Sequence, residues 1–256
     1  MKKIIVLLLL VLCLTGCGKD NTELIIDKEV EVNNKISDTE NVSVENIKES
    51  VLYIKDNINN TKEKSVLEKL AYHANYLVAI GSKTEKTKNH ELTTLGQNTL
   101  TYITKLDKKE KSSVTKLLTY IDEDEEKLAE ELYNNYHKSI TVTNAIKKAE
   151  MEVAANLVDS KKLNVSNITK AIEYISTYIN DPFKNSEVTE KIVYYSEYLL
   201  QVGTKNPENE ISLLGKYTKE YLKNLDNDNK KKTLDTLNNI NKERKDKIES
   251  FYQSVK

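Results

Sequence analysis

The stretch SVENIKESVLYIKDNI, residues 43–58, decides the fold. Its apolar residues Val44, Ile47, Val51, Ile54 and Ile58 step by three and four, which places them on one face of a helix. Ser43, just before them, is a favoured N-cap. Far downstream, NVSNITKAIEYISTYI at residues 164–179 returns the pattern as Val165, Ile168, Ile172, Ile175 and Ile179 behind Asn164, every member displaced by 121 residues. One seam and one cap position, met twice, make an internal repeat.

The repeat extends outward from there. Val66, Leu70, His73, Leu77 and Ile80 match Val188, Ile192, Tyr195, Leu199 and Val202 at a displacement of 122, and Gly81 and Gly203 follow them. A glycine after a helix suggests a C′ residue with positive φ. Ser65 with Glu68 reads as a capping box, and Asp181-Pro182 as an N-cap followed by an N1 proline. Leu92, Leu95, Thr99, Tyr102 and Leu106 match Ile211, Leu214, Thr218, Tyr221 and Leu225 at a displacement of 119, with Gly96 and Gly215 inside the matched helices. An interior glycine costs ~1 kcal/mol against alanine, so its presence in both copies predicts a close helix–helix approach. Leu118 and Ile121 pair with Leu237 and Ile240, after which the register drifts.

These seams predict an all-α chain of tandem duplicated antiparallel four-helix bundles, 43–138 and 165–256. A connecting helix occupies 139–164 and carries Val142, Ile146, Ala149, Val153 and Leu157. The β-branched run Ile140 to Thr143 predicts a break before it. Scarce breakers agree with long helices: six glycines and two prolines in 256 residues.

At the start, Met1-Lys2-Lys3 precedes the nine apolar residues Ile4 to Leu12, and Leu14-Thr15-Gly16-Cys17 closes the run. The run is too short to span a bilayer, which takes ~20 residues, and the pattern is that of a secretory signal. The four closing residues resemble the lipobox of bacterial lipoprotein precursors. The resemblance covers residues 1–17 and implies cleavage between Gly16 and Cys17, with the Cys17 thiol carrying a diacylglycerol. It implies a chain anchored by lipid to the extracytoplasmic face of the cell membrane. Residues 17–42, rich in Asp and Glu, read as a flexible acidic tether, with a reach of roughly 25–30 Å for about 25 residues of coil.

Loss of residues 1–16 removes Lys2 and Lys3 and moves the formal charge from −1 to −3. That balance argues against a nucleic-acid partner, which needs a basic face. The only cysteines are Cys13 and Cys17, so the mature body holds no disulfide and no thiolate metal site. Lysine outnumbers the single arginine, Arg244, and asparagine is abundant, as in the proteins of low-GC Gram-positive bacteria.

Chemistry-bearing motifs are scarce. His73, His90 and His137 sit in no metal-ligand spacing, and no nucleophile motif or phosphate-cradling loop is present. The expectation is therefore no metal, no cofactor and no enzymatic activity. His73 falls on a seam, His90 in a polar loop and His137 near a helix end. Asp226 to Asn229 reads as a turn. The 15 tyrosines include pairs four apart, Tyr72/Tyr76, Tyr174/Tyr178, Tyr194/Tyr198 and Tyr217/Tyr221, each on one helix face. Such rings border the edges of the cores, apolar body inward and hydroxyl to water, or, tyrosine being enriched at recognition surfaces, make Tyr72, Tyr76, Tyr194 and Tyr198 the candidate surface. At a displacement of 119 the acidic run Asp122 to Glu126 meets Asn241 to Lys245; these read as two separate solvated helix faces, or else as complementary spots that meet between bundles or between chains. The reading is a surface lipoprotein whose body binds a protein or cell-wall partner. The alternatives are a receptor holding a small molecule or peptide between helices, and a wall-modifying enzyme. Imelysin-type lipoproteins are similar in architecture, but their Gly-x-His-x-x-Glu motif is absent and no residue transfers.

Overall fold

The computed structural model describes residues 21–37, 41–158 and 162–256; the signal segment, Gly16 and Cys17 lie outside the described residues. The described residues form an all-α structure of eleven α-helices with no strand. In chain order these are α1 (Asn21–Lys35), α2 (Val44–Asn57), α3 (Lys64–Gly81), α4 (Glu91–Lys105), α5 (Lys108–Ile121), α6 (Glu125–Val158), α7 (Val165–Tyr178), α8 (Ser186–Val202), α9 (Glu210–Asn224), α10 (Asn227–Lys242) and α11 (Arg244–Val255). They divide into two units. Unit 1 runs to Ser82 and resumes from Thr87 to Asn134; unit 2 takes Lys83–Lys86 and Asn135–Lys256.

In unit 1, α3 is the centre, packed by α1, α2 and α4, with α5 on α4. The seam is where its spacing puts it: Ile47, Val51 and Ile54 are fully buried, with Leu70 and Leu77 of α3 and Leu92 and Leu95 of α4. Burying each such side chain stabilises by ~1.5–3 kcal/mol. Ser43 caps α2 by accepting from the Asn46 N–H at 3.1 Å. Helix α3 starts at Lys64, and Glu63 makes no side-chain cap, so the expected Ser65–Glu68 box does not form.

The largest correction is at residues 21–35. The stretch read as a flexible tether contains α1, docked on α3. Its acids Glu23, Asp27 and Glu31 lie outward, while Ile25 and Val32, seven apart on one face, are buried. Asn75 Nδ2 donates to the Ile25 carbonyl at 3.0 Å, and Asn21 Nδ2 to the Ile103 carbonyl at 2.8 Å. Composition judged this segment as if it stood alone, whereas α3 supplies the apolar surface it lacks.

In unit 2, α8 packs against α7 and α9, α10 packs on α9, and α11 crosses α7. Asn164 caps α7 by accepting from the Asn167 N–H at 2.8 Å. Asn185, not Asp181, caps α8, which begins four residues after Pro182. Helix α6 passes through Ile140-Thr141-Val142-Thr143 without the expected break. A β-branched residue costs only a few tenths of a kcal/mol in a helix, and Val142 is fully buried, which outweighs it.

The sequence repeat reaches further than the four-helix seams. A displacement of 121 carries Val32 of α1 onto Val153 of α6, both fully buried. It also carries Lys35, whose ammonium lies 5.4 Å from the Tyr72 ring centre, onto Asn156, which donates to Tyr194 Oη at 3.1 Å. A displacement of 119 carries Ala129, Leu132 and Tyr136 of α6 onto Ile248, Phe251 and Val255 of α11, all buried. The first half of α6 thus matches the last helix of the second copy, and its second half matches the first helix of the first copy.

The glycines divide by role. Gly81 and Gly203 do not adopt positive φ, contrary to the C′ expectation. A Cβ on Gly81 would overlap the Thr93 hydroxyl, and one on Gly203 the Ser212 hydroxyl. Gly96 and Gly215 mark the expected close approaches: a Cβ would stand 2.6 Å from the Ala74 carbonyl oxygen and 2.6 Å from that of Ser196. Positive φ occurs instead at Leu106 (49°) and Leu225 (55°), the matched C-caps of α4 and α9. Each is followed by a capping aspartate, Asp107 or Asp226.

Candidate functional site

The four tyrosines expected to form a recognition surface part company by depth. Tyr76 and Tyr198 are 2% and 3% exposed. Their hydroxyls donate to the carbonyls of Asn41 (3.0 Å) and Lys162 (2.8 Å), and burial pushes the Tyr198 phenol up to about 12. They are struts tying the third helix of each copy to the segment before the second, so they leave the candidate surface. Tyr72 and Tyr194, one turn earlier, are half-buried.

Around Tyr194 the rings gather. Tyr195 meets Tyr194 edge-on at 5.5 Å and Tyr174 at 5.1 Å, and Tyr174 meets Tyr178 at 4.6 Å. Burial raises the Tyr174 phenol above its ordinary range. Two adjoining recesses share Tyr194 and Tyr195. One, of about 260 Å³, lies against α6 and is edged by Lys148, Glu152, Glu190 and Lys191. The other, of about 190 Å³, is edged by Asn156, Lys162, Asn167, Lys170 and Tyr198. Lys148 and Glu190 pair across the first at 2.8 Å. The second carries two ammonium groups and two side-chain amides around half-buried rings, a set that stacks on flat groups and hydrogen-bonds polar ones.

The matching place in unit 1 is built differently. His73 stands where Tyr195 stands, stacked on Tyr53 at 4.6 Å and edge-on to Tyr72 at 5.3 Å. Its Nδ1 lies 3.1 Å from Ser50 Oγ. That is nucleophile–base spacing, yet Ser50 is 2% exposed and also bonds the Asn46 carbonyl at 2.9 Å. The pair is a buried hydrogen bond, and burial holds the His73 imidazole below its ordinary range. Ala171 and Tyr195 replace both members in the second copy.

The other histidines are elsewhere than expected. His90 is the N-cap of α4, its Nδ1 accepting from the Leu92 N–H at 3.2 Å, and is buried. His137 lies in the middle of α6 rather than near a helix end, edge-on to Tyr136 at 5.6 Å. Among the described residues no three His, Cys, Asp or Glu side chains gather as a metal site.

The charge runs find partners inside their own units. Asp122 pairs with Lys55 at 2.7 Å and Glu126 with Lys48, joining α2 to the segment that opens α6. In unit 2 the polarity is reversed, with Arg244 of α11 3.3 Å from Glu173 of α7. The expected contact between copies is not needed to account for the inversion. One buried pair is special to unit 2: Glu197, 4% exposed, takes Lys219 at 2.7 Å and Gln201 at 2.8 Å. Burial lowers the Lys219 affinity for its proton, but the hydrogen bonds it donates to Glu197 and Glu150 outweigh it and the net shift is upward.

Sequence reading missed Lys148, Asn156, Lys162 and Asn167 as groove residues. The offset that matches Asn156 to Lys35 was the available signal. No helix of the described residues is long and apolar enough to cross a membrane. The chain matches no protein-family model, no curated protein and no solved structure.

Proposed function

We propose that the chain is a lipoprotein, anchored through Cys17 on the extracytoplasmic face, whose helical body binds a macromolecular partner without turning it over. The observation that carries the binding half is the pair Tyr194 and Tyr195, half-buried between two adjoining recesses on α6, α7 and α8. Each recess is smaller than the ~300–1,000 Å³ usual for small-molecule sites, which favours side chains or sugar units of a longer partner over an enclosed ligand. A wider cleft of about 660 Å³ between α1 and α3 is edged mostly by charged groups, with Asn21, Leu24 and Leu67 as its uncharged residues. It lacks the apolar lining a small-molecule receptor needs.

Crosslinking in intact cells tests the reading. The wild-type chain yields a crosslinked protein or wall-polymer adduct, and Tyr194→Ser with Tyr195→Ser abolishes it. Tyr217→Ser, at a half-buried tyrosine of α9, leaves it in place. Cys17→Ala releases the body from membranes or leaves it unprocessed. An adduct indifferent to the Tyr194 and Tyr195 changes sinks the groove; unaltered membrane partition of processed Cys17→Ala sinks the anchor.

A further inference from the structure

The duplication supplies a comparison for the smaller recess beside Tyr194, because the same floor is built in both copies. In unit 2 the Lys162 carbonyl accepts from Tyr198 Oη at 2.8 Å and from Asn167 Nδ2 at 2.9 Å. In unit 1 the Asn41 carbonyl accepts from Tyr76 Oη at 3.0 Å and from Asn46 Nδ2 at 3.1 Å. The scaffold is shared, but the side chains that edge it are not. At a displacement of 121, Asn156, Lys162 and Lys170 stand where unit 1 has Lys35, Asn41 and Glu49.

The exchange changes both charge and access. Unit 1 sets one ammonium against one carboxylate, and its Lys35 ammonium lies 5.4 Å from the Tyr72 ring centre. The unit 2 recess has Lys162 and Lys170, both exposed, and no carboxylate among the residues that line it. Among the described residues neither ammonium has an acidic partner. The acids of the neighbouring turns are already matched: Glu190 by Lys148 at 2.8 Å, Glu187 by Lys191 at 2.6 Å, and Glu173, three residues past Lys170, by Arg244 at 3.3 Å. Glu152 edges the other recess. The positive charge of this one is therefore uncompensated.

The neutral groups narrow the chemistry further. Asn156 Nδ2 donates to Tyr194 Oη at 3.1 Å and Asn167 Nδ2 to the Lys162 carbonyl, so each amide is fixed by its nitrogen and keeps its oxygen as a spare acceptor. The set asks three things of a partner: a flat apolar face for Tyr194 and Tyr195, donors for two amide oxygens, and an anionic group for two ammoniums. A sugar ring bearing a carboxylate or a phosphate has all three on one unit. An acidic peptide spreads them over separate side chains.

We infer that the groove takes an anionic glycan, one sugar ring resting on Tyr194 and Tyr195 with its carboxylate or phosphate held by Lys162 and Lys170. The inference rests on the tyrosine-groove reading above and names the chemistry of its partner.

The lipidated full-length protein in neutral detergent is titrated by calorimetry at low salt. The probes are a galacturonate tetramer, a phosphodiester-linked glucose tetramer, neutral chitotetraose and a glutamate tetrapeptide. At least one charged glycan should bind about tenfold or more tighter than chitotetraose and the peptide, the difference expected of hydrogen bonds to a charged group. The tighter of the two identifies the anion as carboxylate or phosphate. Lys162→Gln with Lys170→Gln, at exposed positions, should bring the charged glycans down to the neutral level. Lys216→Gln with Lys223→Gln, exposed on α9, should leave the preference intact. Equal affinity for charged and neutral glycans, tighter binding of the peptide, a preference indifferent to Lys162 and Lys170, or no glycan binding at all overturns the inference. Glycan binding that survives Tyr194→Ser with Tyr195→Ser defeats the groove reading itself. A crosslinked adduct in cells that is lost with those two changes keeps the groove even where every glycan fails, and then only its chemistry is wrong.

Discussion

Gly96→Ala sets two effects of known size against each other. Alanine inside a helix is worth ~1 kcal/mol over glycine, so on propensity alone the change stabilises α4. The new methyl carbon, however, would stand 2.6 Å from the Ala74 carbonyl oxygen, 2.9 Å from Val78 Cγ2 and 3.2 Å from Leu77 Cβ. The nearest of these is backbone of α3, which has α1 and α2 on its other sides and no rotamer through which to yield. Overpacking of this kind costs ~1–3 kcal/mol and should exceed the propensity gain. At about 2–4 °C per kcal/mol for a chain of this size, Gly96→Ala should lower the melting temperature by several degrees. Gly215→Ala, whose Cβ meets the Ser196 carbonyl oxygen at the same 2.6 Å, should fall by a similar amount. Ser112→Ala, exposed on α5, serves as the control for propensity alone. Calorimetry or thermal circular dichroism reads all three. A melting temperature raised by Gly96→Ala as by Ser112→Ala would refute the close approach.

Three further outcomes follow from particular contacts. Lys219→Met leaves Glu197 buried without its ammonium partner and should cost about 3 kcal/mol. Glu197→Asn with Lys219→Leu installs the residues that the first copy carries at Asn75 and Leu100, and should recover most of that loss in a denaturant titration. His73 has its folded pKa below the ordinary 6.5, so its stabilising contribution is complete above pH 6.5 and is lost as pH falls toward the folded value. Ser50→Ala with His73→Tyr, the pair found in the second copy, should fold and should flatten that part of the melting-temperature profile between pH 7 and 5; an unchanged slope would assign it to other groups. Reversing Lys48 and Lys55 to glutamate should lower thermal stability at low salt only, with no change of oligomeric state in sedimentation. A change of state would mean that the acidic run works between molecules after all.

Much of the fold was legible because its signals are local. The Val44–Ile58 seam and the Ser43 and Asn164 caps each need only residues within a few turns, and the Gly96/Gly215 approaches were marked by a glycine recurring at one displacement. Helix α1 was not legible, since Ile25 and Val32 acquire meaning only when α3 presents a surface to them. Gly81 and Gly203 were seen as special for the wrong reason: the constraint comes from Thr93 and Ser212 on the crossing helix rather than from φ. The tyrosine surface was half legible. Periodicity put Tyr72 with Tyr76 and Tyr194 with Tyr198 on common faces, but four residues along a tilted helix separate rim from floor. The partners of the acidic run, Lys48 and Lys55, sit some 70 residues upstream, beyond the reach of any spacing rule.

Helix α6 leaves one consequence for how this chain tolerates change. Its buried positions run Leu128, Leu132, Asn135, Ser139, Val142, Ala145, Ala149 and Val153, with steps of three and four that never pause where the units divide. Inserting one residue between Val142 and Ala145, inside unit 2, would turn one stretch of the helix against the other by about 100° and carry side chains off the core they share. Substitutions there should be mild by comparison. This part of α6 is therefore permissive in composition and strict in length. The connection after α3, by contrast, differs by three residues between the copies, Ser82 to His90 against Thr204 to Asn209. An observer scanning for permissive insertion sites would take the β-branched run Ile140 to Thr143 for a break and be misled, because the helix keeps its phase through it.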